Sequence, residues 1–143
     1  MKYIFIILTL ISFSCGKVGE QNIEIKNAWI RNGFEGMNTS LFFDVVNSGG
    51  GADTLYKAAS DLAEIIQIHE TFMQGDMMGM REVENVIIEP NSTFNFKPGA
   101  HHVMFIKLKK NLNEGESGDV ILFFRKTGDI KITVPVKKMA IGS

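Results

Sequence analysis

Apolar and polar residues change places at short, strand-like intervals along most of this chain. Ile23-Glu24-Ile25-Lys26 alternates strictly, Thr39 to Val46 is a dense β-branched and aromatic run, and Val120 to Phe124 and Ile130 to Val136 resemble it. A period of two is what a strand with one buried face requires. Glycine and proline punctuate the runs at Gly49-Gly50-Gly51, Pro90-Asn91-Ser92, Pro98-Gly99, Gly115 to Gly118 and Thr127-Gly128-Asp129. About seven or eight strands with short loops are expected, forming one antiparallel Greek-key β-sandwich or barrel. Only Ala58 to Ile65 reads as a short helix or helical turn. There is no internal repeat, low-complexity tract or long linker to divide the domain.

The N-terminus has a different pattern. Lys2 is followed by an apolar stretch from Tyr3 to Ile11, broken only by Thr9 and closed by Ser12-Phe13-Ser14-Cys15. That stretch is too short for a membrane-spanning helix, which needs about 20 residues, and has the shape of a cleaved export signal. Its Ser-Cys end resembles the lipobox of bacterial lipoproteins, in which the cysteine becomes the lipidated first residue. Ser12 and Phe13 depart from the aliphatic and small residues commonest there, and an ordinary secretory signal is the alternative. Either reading makes the domain extracytoplasmic, in the periplasm or cell envelope, with a membrane anchor at Cys15 in the first. The chain then divides into a leader (1–15), a short tether (16–22), one β domain (23–137) and a short tail (138–143).

Composition narrows the chemistry. About 128 residues remain beyond Cys15, enough for one domain with a sizeable core. Losing Lys2 with the leader leaves 14 basic against 16 acidic residues and a formal charge of about −2. No basic stripe suggests nucleic acid. The single cysteine lies in the signal junction, so the domain has neither a disulfide nor a thiolate to offer a metal. Blue-copper electron transfer, which needs a Cys thiolate beside two His, is therefore excluded. No Gly-x-Ser-x-Gly frame surrounds a nucleophile, and Gly49-Gly50-Gly51 lacks the Lys and Ser/Thr of a phosphate loop. With no catalytic constellation, the chain does not read as an enzyme.

What remains is His69, Met80, His102 and Met104. Thioether sulfur is a soft ligand and imidazole a borderline one, so a mixed set prefers Cu(I) to harder divalent ions; zinc sites favour Cys, His and carboxylate. In a strand from His102 to Leu108, even-numbered side chains share a face, which joins His102 and Met104 to Ile106 and Leu108 and directs His101 away as a surface histidine. His69 ends a strand from Glu64 to Glu70, on the same parity as Ile65 and Gln67. The segment Phe72 to Met80 holds Met73, Met77, Met78 and Met80. Methionine is an adaptable core filler, but the interleaved Gly75, Asp76 and Gly79 favour an exposed metal loop. Met73, Met77 and Met78 are then supporting, transfer or substitute ligands, with Met73 the first to pack instead.

The spacing His-x10-Met-x21-His-x-Met resembles the motif of the PCuAC family, periplasmic copper chaperones that bind Cu(I) through two His and two Met. Ala28-Trp29-Ile30-Arg31, Met80-Arg81-Glu82-Val83 and Lys97-Pro98-Gly99 also resemble family features, and the likeness covers residues 23 to 137. It implies a cupredoxin-like fold, Cu(I) held by His69, Met80, His102 and Met104, and copper supply to cytochrome c oxidase. The recipient would be the oxidase subunit bearing the CuA centre or a Sco-type thiol chaperone. Glu70 stands where the motif tolerates a methionine, either orienting His69 or solvated. The end, Lys138 to Ser143, lacks the His/Met-rich tail of some members. Trp29 and Arg31 match the family without a role that the sequence defines. Two other readings use the same residues differently: copper sequestration or resistance, and a lipid-anchored interaction module without metal.

Overall fold

The computed structural model describes residues 19–139, so the expected leader, Cys15 and residues 140–143 lie outside the described residues. Ten strands follow one another: β1 (Ile23–Arg31), β2 (Thr39–Asn47), β3 (Asp53–Ala59), β4 (Ala63–Gln74), β5 (Met77–Glu82), β6 (Val86–Ile88), β7 (Ser92–Phe96), β8 (His101–Leu108), β9 (Ser117–Phe124) and β10 (Gly128–Lys137). No helix occurs among the described residues. The expected helical turn at Ala58 to Ile65 is instead the end of β3, a tight turn and the start of β4. There the Ser60 hydroxyl accepts from the Leu62 amide at 3.3 Å and donates to the Asp119 carbonyl at 2.8 Å. A side-chain oxygen that captures a nearby amide competes with helical pairing, and so short a segment has little cooperativity to resist it.

The strands form a continuous path, β5-β4-β8-β2-β1-β10-β9-β3-β6, with β7 also on β2. The chain crosses repeatedly between two halves, one holding β1, β2, β4, β5, β7 and β8 and the other β3, β6, β9 and β10. They are joined by a short parallel contact between β1 and β10, at Ile30 with Val136 and Arg31 with Lys137; every other strand pairing is antiparallel. The inward residues of both halves make one core, with Phe43 stacked on Phe96 at 4.3 Å and Phe105, Leu122 and Phe124 fully buried. Each such side chain contributes about 1.5–3 kcal/mol relative to exposure. This is the expected sandwich, with more strands than expected because the Met-rich segment and residues 86–96 also pair.

Two left-handed residues decide which face the neighbouring side chains take. Asn27 has φ 53° at a register break in β1, and its side chain donates to Asp44 Oδ2 at 2.8 Å. Inward residues are odd-numbered before it (Ile23, Ile25) and even-numbered after it (Ile30), so Trp29 faces outward. Lys107 has φ 56°, with its amide donating to Asn38 Oδ1 at 3.0 Å. Val103 and Phe105 point into the core before it, and Leu108 does so after it. Leu108 therefore does not share the face of His102 and Met104, as strict alternation predicts. Asparagine tolerates the left-handed region and lysine is rarely found there, so a sequence pattern alone does not announce the second bulge.

Asp53 ties the β3 end to the β9–β10 turn. It accepts from the Thr54 and Lys126 amides on Oδ1 and from the Thr127 amide and hydroxyl on Oδ2, at 2.6–3.0 Å. Burial pushes its pKa up, but these four donors more than offset that and hold it below the ordinary carboxylate value. A depressed folded pKa stabilises the fold above the unfolded value of about 3.9, and that contribution is lost as pH falls through the lower folded value. Asp53→Ala is expected to cost about 3 kcal/mol in urea unfolding at pH 7, with the gap from wild type narrowing as pH is taken below about 3.9. Equal stability of the two proteins at pH 7 would overturn this role.

Candidate metal centre

Strand register, rather than a cavity, assembles the candidate residues. His69 on β4 lies directly opposite His102 on β8, and Gln67 opposite Met104. On the other side of β4, His69 faces Glu82 and Thr71 faces Met80. Because residues two apart share a strand face, one outer surface carries His69, His102, Met104 and Met80, with Met104 and Met80 on opposite diagonals from His69. The inward parity of the same strands carries Ile68, Val103 and Phe105. Among the described residues, one concavity lies away from this surface, along β9 and β10 at Ile121, Lys131 and Thr133.

The surface is graded from buried to open. His102 is only 4% exposed, His69 and Met104 are half-buried, and Met80 is 57% exposed. His102 owes its burial to an aromatic shelf: Trp29 pairs with Phe42 across β1 and β2 at 4.9 Å between centroids, and Phe42 lies 6.3 Å from the His102 ring. The imidazoles of His69 and His102 are 5.9 Å apart. The Asn27 bulge thus gives Trp29 its place, at the end of a row through Phe42, His102 and His69 to Glu82. Arg31 is exposed at the end of β1.

Hydrogen bonds set which nitrogen of each imidazole carries the lone pair. His102 Nδ1 is 3.1 Å from the Ala100 carbonyl, presented by the Pro98-Gly99 turn. A carbonyl only accepts, so Nδ1 carries the proton, and in the neutral ring the lone pair is on Nε2. His69 Nε2 is 2.9 Å from Gln67 Oε1, and Gln67 Nε2 donates to Glu82 Oε2 at 3.0 Å. The carboxylate orients the amide, the amide oxygen takes the Nε2 proton of His69, and the lone pair falls on Nδ1. That Nδ1 is buried with no hydrogen-bond partner. An orphaned buried acceptor costs about 1–3 kcal/mol, and an ion would satisfy it. Met104 Sδ accepts a weak hydrogen bond from Ser40 Oγ at 3.6 Å, which fixes its side chain beside the histidines.

Two uncharged lone-pair nitrogens and two thioethers on one face fit a soft monovalent ion. Among the described residues no group of three or more His, Cys, Asp or Glu side chains forms a site for a harder one. Glu70 and His101 belong to the other face. Glu70 pairs with Arg81 and lies 3.4 Å from His101 Nε2, so it does not orient His69. His101 is half-buried, packing edge-on against Phe94 at 5.1 Å at the margin of the core. Met80 sits on a strand rather than a loop, because β4 and β5 pair in register up to Gln74 and Met77 around the left-handed Gly75. The roles of Gln67, Ser40 and Phe42 are not marked in the sequence, and Glu82 stands out there only within the family-like stretch Met80 to Val83. For Gln67 a signal existed, its position two residues before His69 on the same strand parity.

Residues 23–136 match the family described as "Putative lipoprotein LpqE-like". A relative from Leifsonia xyli subsp. xyli, "Putative lipoprotein Lxx21020", is 33% identical over 116 residues, 80% of this chain and 69% of that one. "Uncharacterized protein RP573" of Rickettsia prowazekii is 30% identical over 88 residues, 61% of this chain and 49% of its own. Among solved structures, the fold is similar to the copper-bound PCuAC domain from PmoF2, with a TM-score of 0.70 and 24% identity over 84% of this chain and 99% of that one. It is also similar to the solution structure of CuI-DR1885 from Deinococcus radiodurans, with a TM-score of 0.67 and 24% identity over 83% of this chain and 80% of that one. The likeness to these structures is one of fold, and it makes the sandwich cupredoxin-like.

Burial, and then the nearby His102, lower the pKa of His69 from its ordinary value of 6.5, against a smaller opposing pull from Glu82. In metal-free protein, nitrogen-detected NMR is expected to show His69 titrating below 6.5 with its proton on Nε2. Replacing His102 with Gln should raise that pKa only in part, since burial is the larger cause, and Gln67→Leu should abolish the tautomer preference. A His69 that titrates at or above the ordinary value would contradict the described environment.

Proposed function

The chain belongs to the LpqE-like, PCuAC-type family, and from that premise we propose that it is an extracytoplasmic Cu(I) carrier, anchored to a membrane through a lipid on Cys15. Its cargo is held by His69, Met80, His102 and Met104 and delivered for assembly of the CuA centre of cytochrome c oxidase, directly or through a thiol-bearing partner. The carrying observation is the β4–β8 register, which sets the two imidazoles directly opposite one another with Met104 alongside, together with the unpartnered Nδ1 of His69. The copper-bound state of the similar PmoF2 domain and the CuI form of DR1885 support the same reading.

Ligand chemistry favours carrying over storage. Cu(I) is a closed-shell ion that accepts a tetrahedral set of two imidazoles and two thioethers, all uncharged. Uncharged sulfur stabilises the cuprous state without the grip of a thiolate, and the sole cysteine of the chain precedes the β domain. A thiolate-bearing acceptor therefore has the stronger hold. The gradation of burial supplies an order of exchange: Met80 is open to solvent, whereas His102 lies beneath the aromatic shelf. An acceptor ligand can replace Met80 first, then Met104 and His69, so that copper is never released as a free ion. The imidazoles must be neutral to bind it, and the lowered pKa of His69 keeps this ligand available below the ordinary histidine range.

An anaerobic Cu(I) competition titration of the chain is expected to show one tight equivalent. Met80→Leu and Met104→Leu should each weaken it by at least about tenfold while leaving the unfolding midpoint near that of wild type, since Leu keeps much of the apolar volume. Unchanged affinity in both variants would sink the assignment. Mixing the loaded protein with a reduced CuA-domain fragment tests delivery: copper should move to the thiolates, and retention by the carrier would favour sequestration.

A further inference from the structure

The outer face that carries the four candidate ligands does not stop at Met80. Pairing of β4 with β8 runs only as far as Glu70 and His101, after which β4 and β5 continue together as a two-stranded ribbon to Gln74 and Met77. Met73 and Met78 are direct cross-strand partners on it, 64% and 67% exposed. Strand parity puts both on the face of His69, Thr71 and Met80. Directly opposite residues have Cβ atoms about 4.5–5.5 Å apart and diagonal ones about 7–8 Å, within reach of long unbranched thioethers. Met80 is a diagonal neighbour of His69 on one side and of Met73 on the other.

The reverse face of the ribbon has different chemistry. Phe72 covers Gly79, where a Cβ would meet the ring at 2.7 Å, and the Arg81 guanidinium lies over Phe72 at 5.1 Å while also pairing with Glu70. Met77 belongs to that face, opposite Gln74, and is 75% exposed. The thioethers of Met73, Met78 and Met80 are thus segregated to one side. If exposed methionines served only as flexible filler, nothing would require them to line the face of the histidines.

We propose that Met73 and Met78 form a second, weaker Cu(I) site at the ribbon tip, from which Met80 relays the ion to His69, His102 and Met104. The inference deepens the carrier reading and rests on it. The ion stays cuprous throughout: bonds to Met80, His69, His102 and Met104 form as those to Met73 and Met78 break, so the donor number rises from two to four, and neutral ligands release no proton, so no co-reactant is needed. Fewer donors and no imidazole make the tip the weaker site, so the transfer runs inward.

The test is anaerobic titration of the full chain with Cu(I), followed by the carbon-13 methyl signals of its methionines. The first equivalent is expected to shift Met80 and Met104, and the second Met73 and Met78, with Met77 unmoved although it is the most exposed of the ribbon methionines. The Met73→Leu/Met78→Leu variant should lose the second equivalent, keep the first within about twofold in affinity because the sites are separate, and load more slowly from a Cu(I)-chelator complex. Unmoved Met73 and Met78 at two equivalents, or a Met77 shift equal to theirs, would overturn the tip site. Shifts of Met73 and Met78 without those of Met80 and Met104 would support the tip site and refute the four-residue centre.

Discussion

Pairing of β4 with β8 cannot slip by one residue without exchanging the two faces of a strand. That constraint makes the core and the candidate centre a single fact. The register that brings Ile68 against Val103 inside also brings His69 against His102 outside. Apolar burial enforces the alignment, because a slip would turn a set of core residues to water and carry the imidazoles inward. The site needs no stability of its own to be well positioned. It inherits its geometry from hydrophobic contacts on the far side of the same backbone.

Support around the ligands follows the same economy. No buried charge holds the histidines: one is oriented by a backbone carbonyl from the Pro98-Gly99 turn, the other by Gln67. The Glu82 carboxylate acts through the Gln67 amide. An interposed neutral amide keeps the imidazole from being drawn to its protonated form as strongly as a direct carboxylate partner would draw it. On the reverse face, Glu70 is used by Arg81 and His101. The two faces therefore separate ionic pairing from soft-ligand chemistry within a few residues of one strand.

Much of this was legible in the sequence because a period of two survives in the residue order. The runs at Thr39 to Val46 and Ile130 to Val136 became strands, and parity placed His102 with Met104. Where the reading failed, the cause was local or long-range. The turn at Ser60 depends on a hydroxyl that captures an amide, a contact that composition does not reveal. The face change at Lys107 depends on a left-handed residue that is not glycine, and it removed Leu108 from the expected face. The partners of Glu70 and His101 come from strand neighbours, which no single segment specifies. The Met-rich segment reads as a loop because its glycines obscure the alternation; as paired strands, its methionines sort into two faces.

The contact between β1 and β10 joins the first strand of the domain to the last. Ile30 cannot meet Val136 until almost the whole domain has left the ribosome or, if the chain is exported unfolded, has emerged on the far side of the membrane. Contacts of such long sequence separation slow folding, since the loop must close before the pairing repays it. Closure of the sandwich is thus a late event that comes with the final strand. During synthesis or passage the incomplete halves keep their inward faces open, and the finished domain resists threading only once its C-terminal strand has arrived.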